Sequence, residues 1–324
     1  MTETAASSST GVALSTEPVL VRHSDLRLRS RSGWRQRRDQ RGFWFVLPFV
    51  TAFVLFMVVP LLYAVDESLY TSKLIGGTQF SGLSNYGTVL SSGQFWSGVV
   101  HVVIFGAVQI PLMLAVAFFF AVIFDLGLVK MAGLWRTVMF IPFAVPAVVA
   151  AVMWQFLLQP TFGPFVHLVN SLGFSNTNFF SPNLIWPTIL VIVVWEWTGY
   201  TMIIFYTALK AVPREVVEAA VIDGTPLRKI ITKVKLPMVR SAVVMLVLLN
   251  TIGALQMFVE PQIIAQFQPQ AISNHFTPTI FIYNTGVAGQ QYNQAAAAAV
   301  VLALVIVAIS LGLMLARLRK GGRL

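Results

Sequence analysis

The chain of 324 residues contains no cysteine, which excludes a disulfide framework, a thiolate nucleophile and a cysteine-ligated metal. Charge is nearly as scarce. Asp, Glu, Lys and Arg make up 10% of the residues against 56% hydrophobic ones, and the mean hydropathy is +0.76. A soluble domain cannot bury so much apolar surface, so the composition is that of a membrane protein. No G-x-x-x-x-G-K-S/T segment is present to cradle nucleotide phosphates, and neither H-E-x-x-H nor G-x-S-x-G occurs. The four histidines, His23, His101, His167 and His275, are scattered, and no catalytic constellation is visible. The chain reads as a non-enzyme that binds no cofactor of its own.

What is present is a set of long apolar runs. Six of them, near 43–66, 98–124, 137–158, 184–209, 240–261 and 294–316, can each cross a hydrocarbon core, which takes about 20 helical residues. Only helices satisfy the backbone in such runs, so the expected fold is an all-α membrane protein of six transmembrane helices. The bases then separate by side. Eight Arg precede the first run, Lys130 and Arg136 lie between the second and third, seven bases run from Lys210 to Arg240, and four follow the sixth. The other side holds only Lys73, and 159–183 and 262–293 contain no Lys or Arg. The positive-inside rule therefore places both termini in the cytoplasm and accounts for the formal charge of +10 without nucleic acid.

Residues 1–42 are expected to be a disordered, basic cytoplasmic tail suited to anionic lipid headgroups, and 43–320 the six-helix domain. Arg37 and Arg38 resemble a twin-arginine signal, but the apolar run behind them is too long for a signal core. The external segments 67–97 and 159–183 read as modest loops, too small for a receptor domain, so capture of a dilute solute needs a separate protein. Two acids fall in or near the runs. Glu196, inside WEWTGY, either faces a polar cavity on a solute path or makes a structural hydrogen bond to a neighbouring helix; Glu260 reads as close enough to the outer surface to be solvated. One clear membrane acid and no convincing internal repeat fit an ion-driven relay poorly.

The polar interruption is 210–238, containing VPREVVEAAVIDGTPLRKIITKVKLP. Pro213 suits a first helical position, Glu215 complements the helix dipole, and Gly224 ends the helix. Thr225 and Pro226 are expected to cap and open a second helix, and Leu236-Pro237 to turn the chain into the fifth span. Ala219 and Ala220 keep one face small enough for another protein to approach closely.

EAAVIDG, nine residues, then V-x-L-P resembles the EAA coupling loop of bacterial ABC importer permeases, with Val234 in place of the usual Ile. FSGLSNY, WRTVMFIPFAVP, MWQFLLQPTFGP and ALKAVPREVVEAAVIDG resemble the binding-protein-dependent sugar permeases, in particular the MalF-like subunit, over roughly 40–320. The resemblance implies the type I importer permease fold in the bacterial cytoplasmic (inner) membrane. It also implies partners: a second homologous permease, two ATPase subunits carrying the ATP and Mg, and an extracytoplasmic solute-binding protein. It assigns ATPase coupling to Glu218, Ala219, Ala220, Gly224, Leu236 and Pro237. By that resemblance sugar contact falls on Phe143 and Ala147, on Thr198, Gly199 and Met202, and on Asn250, Gly253, Ala254 and Met257, and the aromatics Trp197 and Tyr200 beside them can add to the site. Aromatic faces and polar partners among these suit a sugar's apolar ring faces and hydroxyls. Beside the sugar or oligosaccharide reading stand the same architecture carrying glycerol phosphate or an amino acid, an ion-coupled secondary transporter, and a membrane scaffold.

Overall fold

Apolar runs of this length leave the backbone one way to satisfy its polar groups in hydrocarbon, the intrahelical bond. In the computed structural model, which describes residues 40–73, 77–174 and 177–321, five helical stretches are long and apolar enough to cross a membrane: Trp44–Glu67, Gly93–Asp125, Ile185–Lys210, Arg240–Phe267 and Tyr292–Ala316. The expected third span, 137–158, is not one straight helix. It is a pair, Ala132–Ala144 and Ala147–Leu157, bent by 95°. The cause is Pro146, which excludes α geometry from the residue before it; Val145 accordingly sits extended at φ −76°, ψ 129°.

The chain falls into two units, 1–58 and 59–324. In the first, α1 (Gln40–Phe53) runs into a π-helical turn, Val54–Val58. Phe49 stacks on Phe53 one turn later, with ring centroids 6.4 Å apart. The basic tail expected over 1–42 lies outside the described residues as far as 39, and its last three residues already belong to α1.

The second unit opens with α2 (Val59–Glu67), an antiparallel hairpin of β1 (Tyr70–Lys73) and β2 (Gly77–Phe80), and α3 (Ser84–Ser91). The hairpin departs from the all-helical expectation, and its register sets Tyr70 opposite Phe80 and Thr71 opposite Gln79. It also gives FSGLSNY a structural job. The Asn85 amide donates to the Ser68 and Tyr70 carbonyls at 2.8 and 2.6 Å, and the Tyr86 hydroxyl lies 2.6 Å from Ser68 Oγ. Asn293 closes the same cluster by donating to the Glu67 carbonyl at 3.0 Å and carboxylate at 2.9 Å, while accepting from Ser72 at 2.9 Å.

The remaining elements are α4 (Gly93–Asp125), α5 (Ala132–Ala144), α6 (Ala147–Leu157), α7 (Pro164–Ser171), α8 (Ile185–Lys210), α9 (Arg214–Ile222), α10 (Leu227–Lys229), α11 (Leu236–Met238), α12 (Arg240–Leu255), α13 (Val259–Phe267), α14 (Pro278–Tyr283) and α15 (Tyr292–Gly321). The core is α4 against α8, with α5 packed on α8 and α12 on α4. At the basic end of this core Ala117, Ala121, Met202, Phe205 and Leu246 are fully buried. At the other end Phe105, Trp186 and Phe276 form a ring stack, with Trp186 and Phe276 centroids 4.1 Å apart.

Candidate functional site

Two regions hold the predicted residues. The first is the polar segment after α8. Pro213 is the N-cap of α9 rather than its first residue, and Pro226 rather than Thr225 caps α10 without a side-chain bond. Gly224 ends α9 at φ +69°, a conformation that costs a residue with a Cβ. The Thr225 N–H bonds the Ala220 carbonyl at 3.0 Å and the Gly224 N–H bonds that of Val221 at 3.0 Å, the paired bonds of a Schellman stop. After α10 the helix widens into a π segment, Ile230–Lys235, and stays helical through α11 before breaking at Val239. Leu236 and Pro237 therefore lie inside a helix and do not form the turn expected there.

Glu218, Ala219 and Gly224 are exposed and Ala220 is half-buried. Beside them the apolar side chains of Val216, Val221, Ile222 and Leu227 face outward, with Ile222 85% exposed. Both ends of the segment are held by one residue that sequence reasoning missed. Asp125, the last residue of α4, has its carboxylate 3.1 Å from Lys210 Nζ and 2.5 Å from Lys235 Nζ. Lys210 also donates to the Asp125 carbonyl at 3.2 Å. Lys235 is 8% exposed, so this end of the segment is a buried ion pair, while Lys210 stays largely in solvent. No local pattern could have revealed the clamp, because its members lie 85 and 110 residues apart.

The second region is a cavity of about 360 Å³ between α4, α8, α12 and the start of α13. Of the predicted solute contacts, Trp197 and Tyr200 from α8 and Asn250 and Met257 from the α12 side line it, with Ala147, Gly253 and Ala254. Phe143 stands behind this lining, stacked on Tyr200 at 4.6 Å and edge-on to Trp197 at 5.2 Å. Gly199 and Thr198 face the other way, into an apolar cleft with α5. A Cβ on Gly199 would overlap the Met139 carbonyl oxygen and stand 2.6 Å from its carbon, so this glycine lets α5 and α8 touch. Met202 is buried in the core and also off the cavity.

The cavity has members that the sequence reading did not assign. The fifth span breaks between α12 and α13, so the backbone of Gln256, Met257 and Phe258 is not regularly helical and lines the cavity; irregular backbone at such depth is tolerated where it lines a cavity. Thr279 donates to the freed Met257 carbonyl. Glu196 lines the cavity with its Oε2 unbonded, which settles its place but gives it no helix-to-helix hydrogen bond through that atom. Glu260 corrects the expectation of a solvated surface acid, since it is 9% exposed and lines the same cavity. The break carries its side chain inward, which a continuous helix ending near 261 would not have indicated.

The comparisons agree with this fold. Residues 127–321 match the family described as "Binding-protein-dependent transport system inner membrane component". The chain is 29% identical over 259 residues to the lactose transport system permease protein LacF of Rhizobium radiobacter, covering 79% of this chain and 86% of that protein. It is 29% identical over 226 residues to the trehalose/maltose transport system permease protein MalF of Thermococcus litoralis, covering 69% and 76%. A crystal structure of a bacterial ABC transporter involved in the import of the acidic polysaccharide alginate shares the fold, with a TM-score of 0.71 at 18% identity over 87% of this chain and 96% of that one. With the match spanning more than half its length, from just after α4 to the end of α15, this chain belongs to the family of binding-protein-dependent transport system inner membrane components.

Proposed function

We propose that this chain is the permease subunit of an ATP-driven importer for a sugar or oligosaccharide, in a bacterial cytoplasmic membrane. It forms half of the solute path and pairs with a second, similar permease, two ATPase subunits that carry ATP and Mg, and an extracytoplasmic solute-binding protein. The observation that carries the reading is the exposed α9, whose apolar side chains have no cover among the described residues while both ends of its segment are pinned to α4. An apolar face kept in solvent is a docking surface. Motion of a docked ATPase would reach α4 through Asp125, and α4 also carries cavity residues Phe105 and Gln109. The sugar class is supported by what the lactose and trehalose/maltose relatives are named for, and by the aromatic faces and amide side chains in the cavity.

The test is uptake into vesicles containing the assembled importer, with ATP inside and the solute-loaded binding protein outside. Glu218→Lys reverses the charge on the docking face and is expected to abolish ATP-driven uptake while the subunit still inserts. Uptake at the unmodified rate would sink the coupling role of α9. Accumulation by this chain alone, without ATP, would instead support an ion-coupled transporter.

A further inference from the structure

The proposed coupling route leaves two buried acids without a role. Glu196, in the middle of α8, is 4% exposed, and its Oε2 has no hydrogen-bond partner. Glu260 stands in the first turn of α13 and is almost as buried. Both line the central cavity, and no Lys, Arg or His lines it with them. Gln109, also buried, lines the same space, and its amide nitrogen reaches only the Met113 thioether, at 3.7 Å.

An ionised carboxylate offers acceptors only. Held out of water without a donor it is strongly disfavoured, and at membrane depth such a residue is expected to have a partner. No base among the lining residues of this chain supplies the opposite charge, so the complement is a cation that arrives with the solute. A hydroxyl is a weak complement to two carboxylates; an ammonium group is a donor in every direction and brings the opposite charge. The lining includes Trp197 and Tyr200, aromatic residues of the kind that attracts a cation as well as a sugar ring. A phosphate or uronate would bring like charge into a poorly screened space, where repulsion is many times stronger than in water.

We propose that Glu196 and Glu260 form an amine subsite in the translocation cavity, so that the solute this permease passes is a sugar bearing a protonated amino group. The inference rests on the reading of the chain as a sugar permease and narrows it. Trp197 and Tyr200 hold the ring, Gln109 and Asn250 serve its hydroxyls, and the two carboxylates take the ammonium.

The test needs neither ATP nor the binding protein. The importer complex in lipid nanodiscs is titrated with glucosamine, glucose and glucuronate at one ionic strength and neutral pH, and binding is followed by tryptophan fluorescence, since Trp197 lies in the cavity. Glucosamine is expected to bind about tenfold or more tighter than glucose, the size of one charge-assisted hydrogen bond, with no saturable signal from glucuronate. Glu196→Gln and Glu260→Gln, each close to isosteric, are expected to bring glucosamine and glucose within about twofold of each other. No saturable glucosamine signal, a preference below twofold in the unmodified complex, or a preference that survives in both variants would overturn the subsite. Failure here leaves ATP-driven uptake standing, and failure of uptake leaves an amine preference in the cavity measurable.

Discussion

Single residues set how closely the helices approach and what faces the cavity. Gly199 is the sharpest case. Alanine there would gain about 1 kcal/mol of helix propensity, but its Cβ meets backbone of α5, which cannot rotate aside as a side chain could. Overpacking of this kind typically costs about 1–3 kcal/mol, so Gly199→Ala is expected to lower the thermal midpoint of the purified complex, and an unchanged or raised midpoint would show that α5 yields. Asn250 carries a different weight. Its amide nitrogen is taken by the Leu246 carbonyl at 2.9 Å, while the residue lines the cavity. Asn250→Leu keeps the volume and removes the polar edge. Solute uptake is expected to fall several-fold with basal ATP hydrolysis retained, and full uptake would remove Asn250 from the path.

Between elements, the Asp125 clamp ties both ends of the segment carrying α9 to α4. Its two ion pairs are unequal. Lys210 is half in solvent, where such pairs contribute about 0–1 kcal/mol, whereas breaking a buried pair by removing one partner costs about 3–5 kcal/mol, the situation of Lys235. Lys210→Met is therefore expected to leave uptake near normal. Asp125→Asn is expected to uncouple the importer: ATP hydrolysis continues without rising when solute-loaded binding protein is added, and uptake drops about tenfold or more for this loss. Asp125→Glu keeps the charge and should restore part of the coupling. Equal effects of Lys210→Met and Asp125→Asn would reduce the clamp to a surface feature. The limits of α9 were legible in the sequence to within about a residue, because Pro and Gly act locally, and the Schellman stop at Gly224 is read from one glycine; the turn expected at Leu236-Pro237 was not, since the helix runs on to Val239.

For the whole molecule, the one-sided distribution of bases predicts the orientation, with both termini on the cytoplasmic side. The absence of native cysteine makes this directly testable. A single cysteine at Thr78, in the hairpin, is expected to react with a membrane-impermeant maleimide in intact cells, and one at Thr232, beyond α10, only after lysis. The reverse pattern would invert the topology. The hairpin itself, tied to α15 through Asn293, joins the first and last apolar segments of the second unit on the side that carries Lys73.

The sequence alone determined the class, the number and approximate limits of the apolar segments, the sidedness of charge and the polar segment with its helix stop at Gly224. Each rests on composition or on neighbours within one or two turns. Only the tertiary structure decided that the third segment bends by 95° at Pro146, that the fifth opens at Gln256–Phe258, and that Phe143 and Gly199 stand off the cavity while Glu260 turns into it. Likewise Asp125 meets Lys210 and Lys235 only once α4 lies along α8. The reason is common to all of these. In a chain apolar around every face of its helices, hydrophobic periodicity says little about which face turns inward, so facing is settled by close backbone packing and by where buried polar groups find, or lack, a partner.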